Sequence, residues 1–268
     1  MSGSFIEVFV DFLLKGSILD GSNPDTEPID FWGMQISSNG SPWYYVSNPY
    51  GSTDTSASNF IYVDAPNNWR RKAFPQYKAS RKKDRGTSTF DWNEAFRILN
   101  MVREEIKENF PYPVIHVDGC EADDVIGTLV TRFPDQNNDF NPEKIMIVSS
   151  DRDFVQLQKY NYVRQYSPLL KKEIVEKNPR VYLQTHIIKG DKGDGVPNIL
   201  SDDNVFVEGF RQTPVTQKKI DNIIEDLEEG ELLYAASWYR NYCRNKKLID
   251  LTETPEELRK QIINSFMD

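Results

Sequence analysis

The sequence has little cysteine and histidine, and it has no long run of apolar residues. Its 268 residues include 2 cysteines, Cys120 and Cys243, and 2 histidines, His116 and His186. Two cysteines so far apart form neither a disulfide framework nor a structural zinc site, which predicts a reducing, cytoplasmic location. Without 18 consecutive apolar residues, and without a basic segment leading into an apolar one at the start, we expect no membrane partner and no secretory signal.

The chain also lacks an overall basic charge, since its formal net charge is −9. An acidic protein is at first sight a poor partner for nucleic acid. The charges are unevenly placed, however, because residues 70–85 carry eight lysines and arginines against the single acid Asp84. Aromatic residues are interspersed among these cations, a mixture typical of segments that contact phosphate and stack on exposed bases. The basic stretch therefore predicts a nucleic-acid contact that includes Arg70 and Arg71, whereas its last three cations are more typical of a solvated loop.

From residue 59 onwards, apolar runs alternate with helical periods. The apolar runs lie at residues 60–63, 114–117, 144–150 and 161–166, and the helical periods at residues 91–109, 121–133 and 154–159. Strands that alternate with helices favour an α/β fold with a largely parallel central sheet flanked by helices. In such sheets the ligand site lies at the carboxyl ends of the strands.

Changes in composition divide the chain into three predicted regions. Residues 1–58 hold one apolar run, Phe5–Leu14, followed by a stretch rich in glycine, serine, asparagine and aromatics, so we treat them as an atypical N-terminal segment with a first strand and an unplaced region. Residues 59–178 form the α/β core. Residues 179–268 are mainly helical, with helices predicted at 180–189, 217–228, 232–243 and 255–266.

Acidic residues cluster directly after the predicted strands. They are Asp64, Glu121, Asp123, Asp124, Asp151 and Asp153, and a further pair, Asp191 and Asp194, follows a predicted helix. Because strand ends meet at one edge of a parallel sheet, the three groups that follow strands should converge. Carboxylates this close stay ionised only when cations compensate them, and oxygen ligands suit Mg²⁺ or Mn²⁺. Two such ions can activate a water and stabilise the leaving oxygen of a phosphodiester, a chemistry that needs no histidine.

Each acidic group alone also has a structural interpretation. Acidic residues at a helix start usually cap the helix, which is the more common role for Glu121 and Asp124. An aspartate after a strand, such as Asp64, is often part of a turn. Only the conjunction of three groups at strand ends favours a metal site.

A glycine-rich turn, Gly190-Asp-Lys-Gly-Asp-Gly195-Val-Pro-Asn198, follows the helix predicted at 180–189. Its backbone N–H groups could hold a duplex phosphate without reading sequence. The residues that we predict to contact nucleic acid here are Gly190, Lys192, Gly193 and Gly195. An ordinary turn that ends a helix is the alternative.

Five motifs occur in one order along the chain. They are Tyr62-Val-Asp64, Trp69-Arg-Arg with Phe74-Pro-Gln-Tyr-Lys78-Ala-Ser-Arg81, Glu121-Ala-Asp-Asp124, Ser149-Ser-Asp151-Arg-Asp153-Phe, and Lys189-Gly-Asp191-Lys-Gly-Asp194. This set resembles the flap endonuclease / 5′→3′ exonuclease superfamily, and within it the ribonuclease H type of T-even-type bacteriophages. The resemblance runs from about residue 61 to residue 198, and more loosely to about residue 266.

The resemblance implies a hydrolase with an α/β nuclease core, a helix-three-turn-helix element that binds duplex, and two Mg²⁺ ions for which Mn²⁺ would substitute. It implies a 5′→3′ exonuclease and flap endonuclease that removes RNA primers and 5′ flaps in phage DNA replication, in the bacterial host cytoplasm. The implied partners are duplex or branched DNA and RNA/DNA hybrid, with a replication clamp or single-strand-binding protein as further candidates. We expect a monomer.

The resemblance also implies roles for individual residues. The first ion would be surrounded by Asp64, Glu121, Asp123, Asp124 and Asp151, and the second, partly through water, by Asp153, Asp191 and Asp194. Lys78 and Arg81 would contact the scissile phosphate, so that the catalytic set is Lys78, Arg81, Asp64 and Asp151. A further metal ligand comes from the first strand of the family, and Asp11 in Val8-Phe-Val-Asp-Phe is the candidate for it.

Two competing interpretations remain. Residues 15–58 do not resemble the helices that follow the first strand in the family, so the chain could be a catalytically impaired protein of the same fold that binds DNA structures. An intact strand that brings Asp11 beside Asp64 would favour the enzyme. A related single-strand ribonuclease is the third interpretation, and the Gly190–Asn198 turn, which suits duplex, argues against it.

Overall fold

The computed structural model describes residues 61–65, 67–79, 81, 89–109, 113–136, 145–230 and 235–267, together with the backbone of three short strands between residues 30 and 45. The predicted first strand and its Asp11 lie outside the described residues. The proposed division at residues 58 and 178 stays a prediction.

The described strands are short and form three small sheets. They are β1 (Asp30–Phe31), β2 (Met34–Gln35), β3 (Tyr44–Tyr45), β4 (Ile61–Tyr62), β5 (Val114–Ile115), β6 (Ile145–Val148), β7 (Val163–Ser167) and β8 (Lys172–Ile174). The first three pair antiparallel, β4 pairs parallel with β5, and β6 pairs parallel with β7, which also pairs antiparallel with β8. The mixed α/β character is confirmed. Among the described residues, however, the expected central sheet is divided into small sheets, and β8 was not predicted.

Helices make up most of the described chain after residue 178. They are α1 (Trp69–Ala73), α2 (Trp92–Asn109), α3 (Ala122–Gln136), α4 (Pro179–Lys189), α5 (Gln217–Glu229), α6 (Tyr239–Ile249) and α7 (Glu256–Met267), with 3₁₀ helices at Arg152–Lys159 and Leu251–Glu253. The helix predicted at residues 232–243 was misplaced, because α6 begins at Tyr239. None of the described helices is long and apolar enough to cross a membrane.

Local capping explains where the helices that carry the site begin and end. The Asn178 side chain accepts a hydrogen bond from the Val181 N–H, and Pro179 occupies the first turn, where it needs no hydrogen-bond donor. Helix α4 ends at Gly190, whose φ of 66° suits glycine. The acidic turn that follows is thereby held at a fixed position.

Three buried clusters fix the arrangement of the elements. One lies under β5 and α3, a second under β6 and the 3₁₀ helix Arg152–Lys159, and the third joins α4, α5 and α6. Phe74 and Tyr77 from the basic stretch belong to the third cluster, and both are almost completely buried. The segment that carries Lys78 is therefore anchored against the helical part of the chain.

Candidate metal centre

Three aspartates that follow two different strands form the centre of the site, Asp123 after β5 and both Asp151 and Asp153 after β6. Carboxylate oxygens of Asp123, Asp151 and Asp153 all lie within 4.8 Å of one another. Asp64, at the end of β4, is adjacent, since its Oδ1 accepts a hydrogen bond of 2.8 Å from the Ala122 N–H. The three acidic groups that follow strands thus converge as expected.

The negative charge of these aspartates is poorly compensated. Burial, and then the neighbouring Asp151 carboxylate, raise the pKa of Asp153 to about 7 and that of Asp123 well above its ordinary value. The pKa of Asp151 is raised as well, chiefly by burial. A carboxylate without a cation in such a place favours its protonated form. The cluster is therefore a site that a positive charge would stabilise.

A divalent cation fits this cluster. Oxygen ligands that converge from three chain segments are what Mg²⁺ and Mn²⁺ bind in proteins. A cavity of about 10 Å³, lined among others by Asp123, Asp153, His186 and Asp191, lies beside them. A space of this size takes a water or an ion rather than an organic molecule.

Glu121 lies next to the three aspartates but already has cationic partners. Burial would raise the pKa of Glu121, yet Lys78 and Arg70 hold it at about 2. Lys78 Nζ contacts Glu121 Oε1 and lies 3.5 Å from Asp194 Oδ2. Burial opposes the charge on Lys78, but these two carboxylates raise its pKa, so the ammonium group stays charged at the edge of the site.

Two predicted site residues, Arg70 and Asp124, are structural instead. Arg70 is 2% exposed and therefore does not lie where nucleic acid could reach it, so its predicted contact is wrong. Its Nη1 lies 2.8 Å from Asp124 Oδ2. Asp124 is fully buried, and its carboxylate also accepts hydrogen bonds from Trp69 Nε1, the Glu121 N–H and the Thr254 hydroxyl. With its oxygens engaged in this way, Asp124 has a capping role rather than the metal-binding role that was predicted.

The prediction that the aromatic residues in and next to the basic stretch stack on exposed bases is also wrong. Trp69, Phe74 and Tyr77 are at most 7% exposed, so they cannot stack on bases. The Tyr77 hydroxyl instead lies 2.9 Å from Glu121 Oε2 and 2.7 Å from Asp194 Oδ2. Arg71, in contrast, is exposed as a phosphate contact requires.

Asp194 joins the glycine-rich turn to the basic stretch. Its carboxylate lies 2.9 Å from Arg81 Nη2, and its backbone carbonyl accepts a hydrogen bond of 2.7 Å from the Lys78 N–H. Lys78 has a φ of 54°, in the left-handed region that few non-glycine residues adopt. The contacts of Asp194 therefore position Lys78 and Arg81, and Asp194 does not belong to either group of candidate metal-binding residues among the described residues.

The glycines of the turn allow close backbone packing. A Cβ on Gly190 would lie 2.4 Å from the Val196 carbonyl oxygen, and one on Gly195, whose φ is 73°, would lie 2.9 Å from the Gln76 carbonyl oxygen. Neither contact is possible for another residue without a shift of the backbone. Lys192 and Gly193 lie exposed between them.

His186 is a site residue that the sequence interpretation missed. Its Nε2 lies 3.3 Å from Asp191 Oδ2, and its Nδ1 lies 3.6 Å from Asp153 Oδ1. Burial opposes protonation of His186, but Asp191 and Asp153 raise its pKa. Burial also acts to raise the pKa of Asp191, which the hydrogen bond to His186 lowers to about 2. The only available signal was that His186, one of two histidines, lies five positions before Asp191 on the preceding helix.

Comparison with protein families gives two matches. Residues 51–187 match the family described as 5′-3′ exonuclease, N-terminal resolvase-like domain. Residues 178–268 match the family described as T4 RNase H, C terminal. The two matches together extend over most of the chain.

Individual proteins are also similar in sequence to this chain. The ribonuclease H of Enterobacteria phage T4 is 37% identical over 203 residues, which are 74% of this chain and 65% of that protein. A 5′-3′ exonuclease of Buchnera aphidicola is 26% identical over 146 residues, which are 52% of this chain and 46% of that protein. The chain thus spans less than two thirds of the length of these relatives.

Solved structures of a bacteriophage T5 protein have a similar fold. The T5 protein crystallised with metal ions superposes with a TM-score of 0.56 at 17% identity, covering 78% of this chain and 85% of that one. A complex of the T5 flap endonuclease with DNA and metal ions superposes with a TM-score of 0.54 at 17% identity, covering 79% and 85%. At this level of identity the likeness supports the fold alone.

Proposed function

This chain belongs to the 5′-3′ exonuclease family, and on that premise we propose that it is a divalent-metal-dependent 5′ nuclease that hydrolyses phosphodiester bonds at 5′ ends and branch points. The observation that carries the proposal is the convergence of Asp123, Asp151 and Asp153, with Asp64 beside them, at the ends of separate strands. Mg²⁺ is the proposed ion, with Mn²⁺ as a substitute. When bound, two such ions supply an activated water and stabilise the leaving oxygen.

The residues of this chain then have distinct roles. Asp64, Asp123, Asp151 and Asp153 hold the ions through their carboxylates. Glu121 lies beside them, but its pairing with Lys78 supports a role in orienting that ammonium group rather than in direct coordination. The separation of these roles follows from which carboxylates already have cationic partners.

Lys78 and Arg81 are the groups that we propose to contact the scissile phosphate. Both are held at the acidic cluster, with Lys78 between Glu121 and Asp194 and Arg81 on Asp194. A charged group that is already positioned stabilises developing negative charge without having to reorganise. We therefore assign Lys78 the role of stabilising the transition state and Arg81 the role of orienting the phosphate.

Duplex binding is assigned to the region from residue 179 onwards, as the helix-three-turn-helix part of the molecule. The turn after α4 presents Lys192 and Gly193 to solvent. Outside that region, Arg71 lies exposed on α1 and is a further candidate contact. Backbone N–H groups and cations of this kind hold phosphates without reading sequence. Branched DNA and RNA/DNA hybrid are the proposed substrates, and removal of RNA primers and 5′ flaps in phage DNA replication is the proposed role.

A cleavage assay tests the proposal. Purified protein is mixed with a 5′-labelled flap duplex and with a 5′-labelled RNA/DNA hybrid, each with Mg²⁺ and with EDTA. We expect short 5′ products only with Mg²⁺. Retained duplex binding without any cleavage in Mg²⁺ or Mn²⁺ would instead support the binding protein of the same fold.

A further inference from the structure

Asp151 and Asp153 lie on the turn that leaves β6 and enters the 3₁₀ helix Arg152–Lys159. Two hydrogen bonds shape this turn locally, because the Asp151 N–H donates to Ser149 Oγ at 3.1 Å and the Asp153 N–H donates to Asp151 Oδ1 at 2.9 Å. Both bonds lie within the turn, so they do not fix its position relative to Asp123, which lies on α3. Carboxylates within 4.8 Å of one another repel, and this repulsion acts to move the turn away from α3 when no cation is bound.

Gln165, on the neighbouring strand β7, connects this turn to the sheet. It is 1% exposed, and its Nε2 donates to the backbone carbonyl of Ser149 at 2.9 Å and to that of Asp151 at 2.5 Å. The last pair in the register of β6 with β7 is Val148 with Tyr166, so both carbonyls lie beyond the paired residues. The two amide hydrogens of Gln165 therefore replace strand pairing where the chain leaves the sheet to reach the metal centre.

A second glutamine fixes the direction of the Gln165 amide. Gln158 Nε2 donates to Gln165 Oε1 at 3.3 Å and to the Ile174 carbonyl at 3.0 Å, while Gln158 Oε1 accepts from the Glu176 N–H at 2.9 Å. Since its oxygen faces Gln158, the Gln165 amide turns its NH₂ group toward the two carbonyls of the turn. The amide is thus held in place before any ion binds, as the positioning of metal ligands requires.

We propose that Gln165 is a positioning residue of the metal centre, which holds the turn so that the carboxylates of Asp151 and Asp153 stay beside Asp123. Gln165 does not contact the ion, but it acts through the backbone that carries two of the ligands. Replacement of a residue that orients metal ligands typically lowers metal affinity by about 10- to 100-fold. The inference rests on the proposed metal-dependent function, to which it adds a residue outside the acidic motifs.

Metal affinity distinguishes this role from a purely structural one. A buried glutamine that only satisfies backbone carbonyls stabilises the fold but leaves metal affinity unchanged. A positioning residue changes metal affinity as well. The two quantities must therefore be measured separately on the same variants.

Calorimetric titration of metal-free protein with Mn²⁺ measures the affinity without any cleavage. Gln165→Met keeps the length and approximate volume of the side chain but removes both donated hydrogen bonds. We expect Mn²⁺ to bind about 10- to 100-fold more weakly to Gln165→Met than to the wild type. Tyr162→Phe, which removes a hydrogen bond of 3.1 Å to the Val130 carbonyl, is the matched control and should keep the wild-type affinity. Melting curves in EDTA give the change in stability of each variant.

Gln158→Met is a second, milder variant. It leaves Gln165 in place and removes only the group that orients its amide, so Mn²⁺ binding should weaken in the same direction but by a smaller factor. In cleavage of the flap duplex by Gln165→Met, the Mg²⁺ concentration that gives half of the maximal rate should rise by about 10- to 100-fold, like the dissociation constant of Mn²⁺.

Two results would overturn the inference alone. Unchanged Mn²⁺ affinity in folded Gln165→Met and Gln158→Met, with a lowered Tm, would make Gln165 a purely structural residue. An equal loss of affinity in Tyr162→Phe would show that the effect follows stability rather than position. In both cases the wild type still binds Mn²⁺ and cleaves, so the proposed function is unaffected. A wild type that binds no Mn²⁺ would overturn the proposed function, and this inference with it.

Discussion

Replacing Asp153 by asparagine should stabilise the metal-free protein. Asp153 lies among carboxylates that repel it, and its only described ion pair is the contact of 3.6 Å with His186. Burial and Asp151 raise its pKa from 3.8 to about 7. A carboxyl group whose pKa is higher in the folded than in the unfolded state destabilises the fold once the pH exceeds the unfolded value, and the effect is complete above the folded value. Asparagine keeps the shape and removes the charge.

The size of the effect follows from the same pKa. Each unit corresponds to about 1.4 kcal/mol, so ionising Asp153 at pH 8 lowers the free energy of unfolding by at most about 4 kcal/mol. Asp123 and Asp151 share the repulsion and take up protons themselves, so we expect about half of this ceiling. A gain of about 2 kcal/mol corresponds to a rise in Tm of about 4–8 °C for a chain of this length. At pH 5 the ceiling falls to about 2 kcal/mol, because Asp153 is then largely protonated in the folded state.

Thermal melts in EDTA and in Mg²⁺ test this prediction, with Asp124→Asn as the matched control on the same helix as Asp123. In EDTA at pH 8, Asp153→Asn should melt above the wild type and Asp124→Asn far below it, since loss of a buried partner of Arg70 destabilises by about 3–5 kcal/mol. Mg²⁺ should raise the Tm of the wild type more than that of Asp153→Asn. If Asp153→Asn melts lower than the wild type in EDTA, the carboxylate is structurally paired and the reasoning is refuted.

Three further predictions follow from the contacts of the site. Lys78→Ala should lower the single-turnover cleavage rate much more than duplex affinity, with Lys172→Ala at an exposed position of β8 as a control for loss of charge, and equal losses in both would make Lys78 an ordinary phosphate anchor. Gly195→Ala should lower the free energy of unfolding by about 1–3 kcal/mol in chemical denaturation, because a Cβ there meets the Gln76 carbonyl in a left-handed backbone; an unchanged midpoint would contradict this. Cys120, whose pKa burial raises to about 12, should resist alkylation at pH 8 in the folded protein while the exposed Cys243 reacts, and mass spectrometry of the labelled peptides distinguishes the two.

The sequence predicts the elements of the core well because their signals are local. Helix α2 begins one residue after Asp91, whose carboxylate accepts a hydrogen bond from the Glu94 N–H, and its bounds agree with the helical period predicted at residues 91–109. The register in which β6 pairs with β7 was not predicted, but the apolar residues of both strands identified them as strands. Periodicity and caps act within a few residues of one another, so they can be read without the fold.

The partners of charged residues could not be predicted in the same way. Arg70 and Arg71 are neighbours in one basic stretch, yet Arg70 is buried against Asp124, 54 positions away, while Arg71 is exposed. Asp123 and Asp124 are likewise neighbours on α3, yet the Asp123 carboxylate lies with Asp151 and Asp153 whereas the Asp124 carboxylate is paired with Arg70. Which of two adjacent charges faces the interior depends on long-range packing, and the sequence carries no local signal of it.

The contribution of His186 was missed for a related reason. Carboxylates alone can hold both ions of a two-metal site, so the acidic motifs did not require a histidine. The capped end of α4 at Gly190 brings Asp191 back toward the ring. Only the folded turn reveals that one imidazole faces two of the predicted metal-binding aspartates.

The most direct test of the metal centre is single-turnover cleavage of a 5′-labelled flap duplex by Asp151→Asn. Asp226→Asn, which makes the same change at an exposed position of α5, is the control. If Asp151 holds a metal ion, Asp151→Asn should be folded and should bind the duplex, but it should cleave at least about 100-fold more slowly in Mg²⁺, whereas Asp226→Asn should match the wild type. Undiminished cleavage by folded Asp151→Asn would contradict the assignment of the aspartate cluster as the catalytic metal site.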